Sequence, residues 1–168
     1  MLKKILLGIA VALILMQFIR PEKNLSDDRT NDISTKYPIP DDLKHTFQGA
    51  CNDCHSNKTE YPWYNNIQPV AFLLANHVTD GKRHLNFSTF TKMPIAVQNH
   101  KLEEIAEQVE EKEMPDRSYT FFGLHKEANL TDAQRQQIIS WAKAQMDTLK
   151  ANYPADSLVM KRRTPPKE

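Results

Sequence analysis

Residues 51–55 read Cys-Asn-Asp-Cys-His. Cys51 and Cys54 are the only cysteines among 168 residues, too few for a disulfide scaffold. The close pair therefore needs a local explanation. On one helical turn, thiols three positions apart point the same way and the next residue, His55, is carried beside them. This is the spacing of c-type haem attachment. Both thiols add to vinyl groups along one porphyrin edge, and the imidazole lies beneath the iron as proximal ligand. Three other uses of the pair compete with this one. A structural zinc site needs four ligands, and no further cysteine exists. A thioredoxin-like dithiol belongs near a βαβ pattern, which is missing. A plain disulfide suits a chain exported to an oxidising compartment.

The sixth iron position has several candidates. Two Met-Pro pairs are present, Met93-Pro94 and Met114-Pro115. Met114 ends an amphipathic stretch and begins a loop leading to the last helical segment, which makes it the candidate ligand. A methionine sulfur there raises the reduction potential and suits an electron carrier. Met93 reads as core filler. His77, His84, His100 and His125 are alternatives, and His45 lies too close before the attachment turn to reach the other haem face. His77, on an apolar helix face, reads as a core histidine or a haem-propionate partner. A vacant or water-filled position remains a further option. Tyr61-Pro62-Trp63-Tyr64 directly follows the motif and can wall the haem edge or simply pack in the core.

The surrounding punctuation is helical. Asp41 or Asp42 can cap a short helix through Leu43, Phe47 and Ala50. Pro69 suits the first turn of a helix through Val70, Leu73, Leu74, His77 and Val78, with Gly81 ending it in the left-handed conformation. Leu102, Ile105, Ala106 and Val109 share one face of a third helix whose other faces are glutamate-rich. Thr131-Asp132-Ala133-Gln134 is a capping-box pattern opening a fourth helix that runs to about Asn152. No strand alternation longer than a few residues and no internal repeat is visible.

Residues 1–23, MLKKILLGIAVALILMQFIRPEK, put two lysines before an apolar run from Ile5 to Ile19. A positive start followed by an apolar stretch is what the secretion machinery reads. The run is short against the roughly 20 residues that span a bilayer, and no small-x-small cleavage site follows it. The expectation is an uncleaved signal anchor at 1–23 in the inner membrane, with the haem domain in the periplasm. Polar, proline-containing residues 24–40 read as a linker, 41–153 as the domain, and 154–168 as a flexible tail.

Composition narrows the function classes. Without residues 1–23, 18 basic and 20 acidic side chains remain, and a body with a balance of −2 is a poor holder of nucleic-acid phosphates. Four glycines and no GxGxxG or GxxxxGK stretch exclude Rossmann and P-loop nucleotide sites.

The segments CNDCHSNKTEYPWY, HVTDGKRHLNFSTF, EMPDRSY and LTDAQRQQIISWA occur in this order from Cys51 to Trp141. In them the chain resembles the bacterial haem-binding domain family of small monohaem, cytochrome c-like proteins. The layout also resembles class I cytochrome c, with a helix before CxxCH, a distal Met-Pro loop and a closing helix that crosses the first. The resemblance implies an all-α, cytochrome c-like helical haem domain after an N-terminal membrane-anchor helix. It implies one haem c on Cys51 and Cys54, with His55 and, by position, Met114 as iron ligands. Arg83, His84 and Asn86 are candidate propionate donors or ordinary surface residues. The resulting expectation is a membrane-anchored electron carrier serving redox partner proteins of a respiratory or periplasmic chain, rather than an enzyme. A haem-based sensor or gas-binding module, or a peroxidase-type enzyme, with an open sixth position is the alternative.

Overall fold

The computed structural model of the chain describes residues 1–120 and 125–160. Among them the architecture is all helical: α1 (Leu2–Met16), α2 (Asp41–Ala50), α3 (Asn52–His55), α4 (Val70–His84), α5 (Ile95–Glu110), α6 (Arg117–Thr120) and α7 (Asp132–Asn152). The one extended pairing among these residues is an isolated antiparallel bridge between Leu25 and Lys58. Of the expected tail, residues 161–168 lie outside the described residues, as do residues 121–124 of the loop after Met114.

The core forms where the helical periodicities meet. α5 turns Leu102, Ile105, Ala106 and Val109 inward, and α7 turns Ile138, Ile139, Trp141, Ala142 and Leu149 inward. These two helices pack along each other more extensively than any other pair. Burial of each large apolar side chain contributes about 1.5–3 kcal/mol, more than helix propensity supplies, so the shared stripe decides where both helices lie. α2 joins through Phe47, whose ring meets Trp141 edge-on at 5.2 Å and Phe87 at 5.5 Å. α7 therefore contacts both α5 and the helix that leads into the cysteine motif.

Some helix ends match the expected signals and others depart from them. Thr131 and Gln134 form a reciprocal capping box at the start of α7. Pro40 takes the N-cap position of α2, and Asp41 and Asp42 lie inside its first turn, where their charges complement the helix dipole instead of capping. α4 runs through Gly81 to His84, so that glycine does not terminate the helix.

Residues 24–40 do not hang free. Ile33 and Tyr37 are buried in the core, and the Tyr37 hydroxyl donates to Gln98 Oε1 at 2.6 Å. Trp141 Nε1–H donates to the Pro38 carbonyl at 2.9 Å. Neither the polarity nor the prolines of this segment signalled that two apolar side chains would find sockets.

The anchor expectation is corrected. Among the described residues no helix is long and apolar enough to cross a membrane. α1 has 15 residues, about 22 Å at a rise of roughly 1.5 Å each, against a hydrocarbon core of about 30 Å. The apolar run does not continue the helix because its end is tied to the domain: Gln17 exchanges hydrogen bonds with the Gln68 backbone, and Arg20 donates to the Asn66 carbonyl. The N-terminal membrane anchor, and with it the inner-membrane and periplasmic placement, is not supported.

Candidate functional site

Cys51 sits at the junction of α2 and α3, outside helical geometry at φ −127° and ψ −44°. The chain turns there, and the His55 amide donates back to the Cys51 carbonyl at 3.0 Å. That single turn places Cys51, Cys54 and His55, at i, i+3 and i+4, on one side of α3. Both cysteines are free thiols. Burial, with a smaller contribution from the neighbouring thiol, pushes Cys51 up to about 12. Burial, then the charges of Asp53 and Asp116, pushes Cys54 up to about 11. Both are thus protonated near neutrality, the opposite of the depressed thiol that a thioredoxin-like nucleophile needs. Nor do three or more His, Cys, Asp or Glu side chains among the described residues converge in a way that could hold a metal ion, so the zinc alternative finds no ligand set.

His55 is the most tightly specified group in the site. Its Nδ1 lies 3.0 Å from the Gly81 carbonyl and 2.9 Å from the Leu85 carbonyl, both at the end of α4. Carbonyls only accept, so the nitrogen between them carries the proton. Burial lowers the imidazole's proton affinity below its ordinary value, against the opposing pull of the two carbonyls. The side chain is then neutral, with its lone pair on Nε2, the tautomer of a ligating histidine whose other nitrogen is held by a backbone oxygen. The Phe87 ring, 6.0 Å away, flanks it.

Gly81 makes this contact possible. A Cβ at Gly81 would lie 2.6 Å from the Cys54 carbonyl oxygen, so only glycine lets α4 come close enough for its last carbonyls to reach His55. The sequence signal was an isolated glycine within a helical pattern, which marks close approach as readily as termination.

Around Asp53, between the cysteines, the later chain closes in. Tyr119 donates to Asp53 Oδ2 at 2.7 Å, and the Glu60 amide donates to Oδ1 at 2.8 Å. Tyr119 stacks on His125 with centroids 3.9 Å apart, and the buried His125 is hydrogen-bonded through Nε2 to the Tyr64 hydroxyl. A cavity of about 20 Å³ beside Cys54 is bounded by Tyr61, Leu74, His77, Val78 and Tyr119. The larger hollow, about 280 Å³, is lined by Phe47, Asn52, Asp53, Ser56 and Phe87, with neither cysteine in its wall. The donor atoms, rather than a preformed concavity, carry the reading of the site.

Three of the four expected residues, Cys51, Cys54 and His55, are thus brought together. Met114 stands apart in the turn after α5, 37% exposed, with its amide donating to the Gln108 carbonyl and its carbonyl accepting from Arg135. Its neighbour Asp116 is close enough for its charge to act on Cys54. Met93 packs against the core, as filler does. Arg83 pairs with Asp80 at 3.0 Å, and Asn86 caps Ser88 and donates to Asn57, so these two candidate propionate donors have local partners. His77 and His84 are exposed, and His100 pairs with Glu103 and Glu104 along α5. The carbonyls of Gly81 and Leu85, and the Tyr119–Asp53 bond, were not legible from the sequence, because backbone oxygens and contacts 66 residues apart leave no local pattern.

The model of a family described as haem-binding domain matches residues 11–144. No curated protein and no solved structure matches the chain.

Proposed function

Because the chain belongs to the haem-binding domain family, we propose that it is a monohaem c-type protein working as a one-electron carrier. Cys51 and Cys54 would hold the haem through two thioether links, and His55 Nε2 and Met114 would ligate its iron. The observation that supports this most is the clasp of His55 Nδ1 between two carbonyls. The donor set fits haem: two free thiols on one turn and an imidazole with its lone pair on the far nitrogen. When bound, the haem supplies reversible Fe(II)/Fe(III) chemistry.

The chain's own groups then hold the site in place. The Gly81 and Leu85 carbonyls keep the imidazole proton on Nδ1 and hold the ring in place. Phe47 and Phe87, both buried and in edge contact, pack beside the turn that carries His55. The partners of such a carrier are redox proteins, and the body's near-neutral balance makes it a poor holder of nucleic-acid phosphates. A second reading, an open sixth position that binds small gases or peroxide, is favoured by the exposure of Met114.

An absorption spectrum of protein matured with haem c, recorded oxidised, reduced, and reduced under carbon monoxide, tests both. Sharp low-spin bands indifferent to carbon monoxide bear out the carrier. A high-spin spectrum that shifts with carbon monoxide moves the assignment to the second reading. Haem lost on denaturation excludes covalent attachment.

A further inference from the structure

We propose that Asn24 is a positioning residue for His55, a latch joining the segment that enters the domain to the two pieces of backbone that set the imidazole's place; this rests on the haem reading above. Asn24 lies 31 positions before the histidine, in the stretch that reads as a polar tether.

Every hydrogen-bonding group of Asn24 is engaged. Its backbone N–H donates to the Tyr61 hydroxyl at 2.8 Å, and its carbonyl accepts from the Thr59 amide at 3.0 Å. Its side-chain Nδ2 donates to the Ser56 carbonyl at 2.8 Å and to Thr59 Oγ1 at 3.0 Å. Its Oδ1 accepts from the Lys82 ammonium. Next to it, Leu25 bridges Lys58, and the Ser26 amide donates to the Asn57 carbonyl at 2.8 Å.

These partners are not scattered. Ser56 is the residue immediately after His55, and Thr59 in turn donates to the Asp53 carbonyl at 2.6 Å, inside the motif. The first set of bonds therefore fixes the C-terminal end of α3 and the loop leaving it. Lys82 follows Gly81 in the last turn of α4, beside the carbonyl that holds Nδ1. One side chain thus spans the two bodies whose spacing defines the His55 clasp. An asparagine suits the task because its amide gives two donors and one acceptor at fixed angles, and here all three are used. A half-buried lysine satisfied by a neutral amide oxygen is also costly to leave unpaired, which makes the connection directional.

Loosening the latch lets α4 slide relative to α3 and lengthens the Nδ1–H bonds. A weaker bond at Nδ1 makes Nε2 a poorer donor, which favours Fe(II) and raises the reduction potential.

The test uses the full chain with covalent haem, measuring the midpoint potential and the solvent-exchange rate of the His55 Nδ1 proton in the reduced state. Asn24→Ala is expected to retain haem, speed that exchange at least tenfold and raise the potential. Lys82→Met, which keeps the aliphatic stem, is expected to speed the exchange likewise. Lys44→Met, removing an exposed lysine paired with Asp41, serves as the control and should leave the exchange unchanged. Unchanged Nδ1–H exchange in both Asn24→Ala and Lys82→Met overturns the latch, and if Asn24→Ala does not fold, Lys82→Met decides alone. A chain that never retains covalent haem overturns the haem reading instead, and the same exchange measurement on the haem-free chain still judges the latch.

Discussion

The two sides of the candidate site are built in different ways. On the His55 side, two helix-end carbonyls, a glycine contact that tolerates no side chain, and a hydrogen-bonded asparagine converge on one turn. On the Met114 side, the expected ligand is half exposed and tethered through its own backbone. The first arrangement determines the ring's orientation and protonation before any cofactor arrives. The second leaves the sulfur free to be placed by what binds. A ligand held through its neighbours' backbones is a scaffold feature, whereas one held by its own chain in a turn is an adjustable one.

The largest effect that would break this contrast comes from the motif itself. Cys51→Ser with Cys54→Ser should abolish haem that survives denaturation, read on a haem-stained gel, while circular dichroism still shows a helical chain. Gly81→Val comes next. Its side chain would meet the Cys54 backbone, so it should destabilise the fold by about 2–3 kcal/mol, seen as a lower Tm, and weaken His55 ligation. Retention of both would mean that α4 can retreat without disturbing the clasp.

The methionines sharpen the comparison. Met93→Ala should cost about 2 kcal/mol in chemical denaturation and leave the haem spectrum alone, because Met93 packs on the core. Met114→Ala should do the reverse: a stability change under about 0.5 kcal/mol, with carbon monoxide binding gained and the potential lowered. If the spectral change followed Met93 instead, the ligand assignment would move there.

Smaller effects lie at the start of α7. Thr131→Ala removes half of the capping box and should cost about 1 kcal/mol with no spectral change. Asp132 beside it has its carboxyl held below the ordinary 3.8 by hydrogen bonding to Lys112 and by that lysine's charge. A depressed carboxyl stabilises the fold above its unfolded value and loses that contribution as the pH falls through the folded one. Asp132→Asn should therefore flatten the acid limb of the stability curve slightly, and less at high salt.

How much could be read in advance differs by residue. The stripe Leu102, Ile105, Ala106, Val109 and the box Thr131–Gln134 are local patterns, and both stand where periodicity and capping chemistry place them. Gly81 is visible as a signal in the sequence, but a helix-ending glycine and a close-packing glycine look alike until the neighbouring backbone is known. Residues 24–40 misled through composition: polarity suggested a tether, yet Asn24, Ile33 and Tyr37 each have specific partners across the domain. Hydropathy alone makes the N-terminal run look like an anchor, since it does not reveal that Gln17 and Arg20 bind the loop before α4.

The amino-acid sequence by itself determined the helical class and the cluster of two thiols and an imidazole, because both depend on spacings of a few residues along one chain. Only the tertiary structure decided which imidazole nitrogen keeps its proton, why Gly81 must be glycine, and that the segment before the domain is part of its frame. Those outcomes depend on groups 26 to 32 positions apart meeting within about 3 Å, which packing alone brings about.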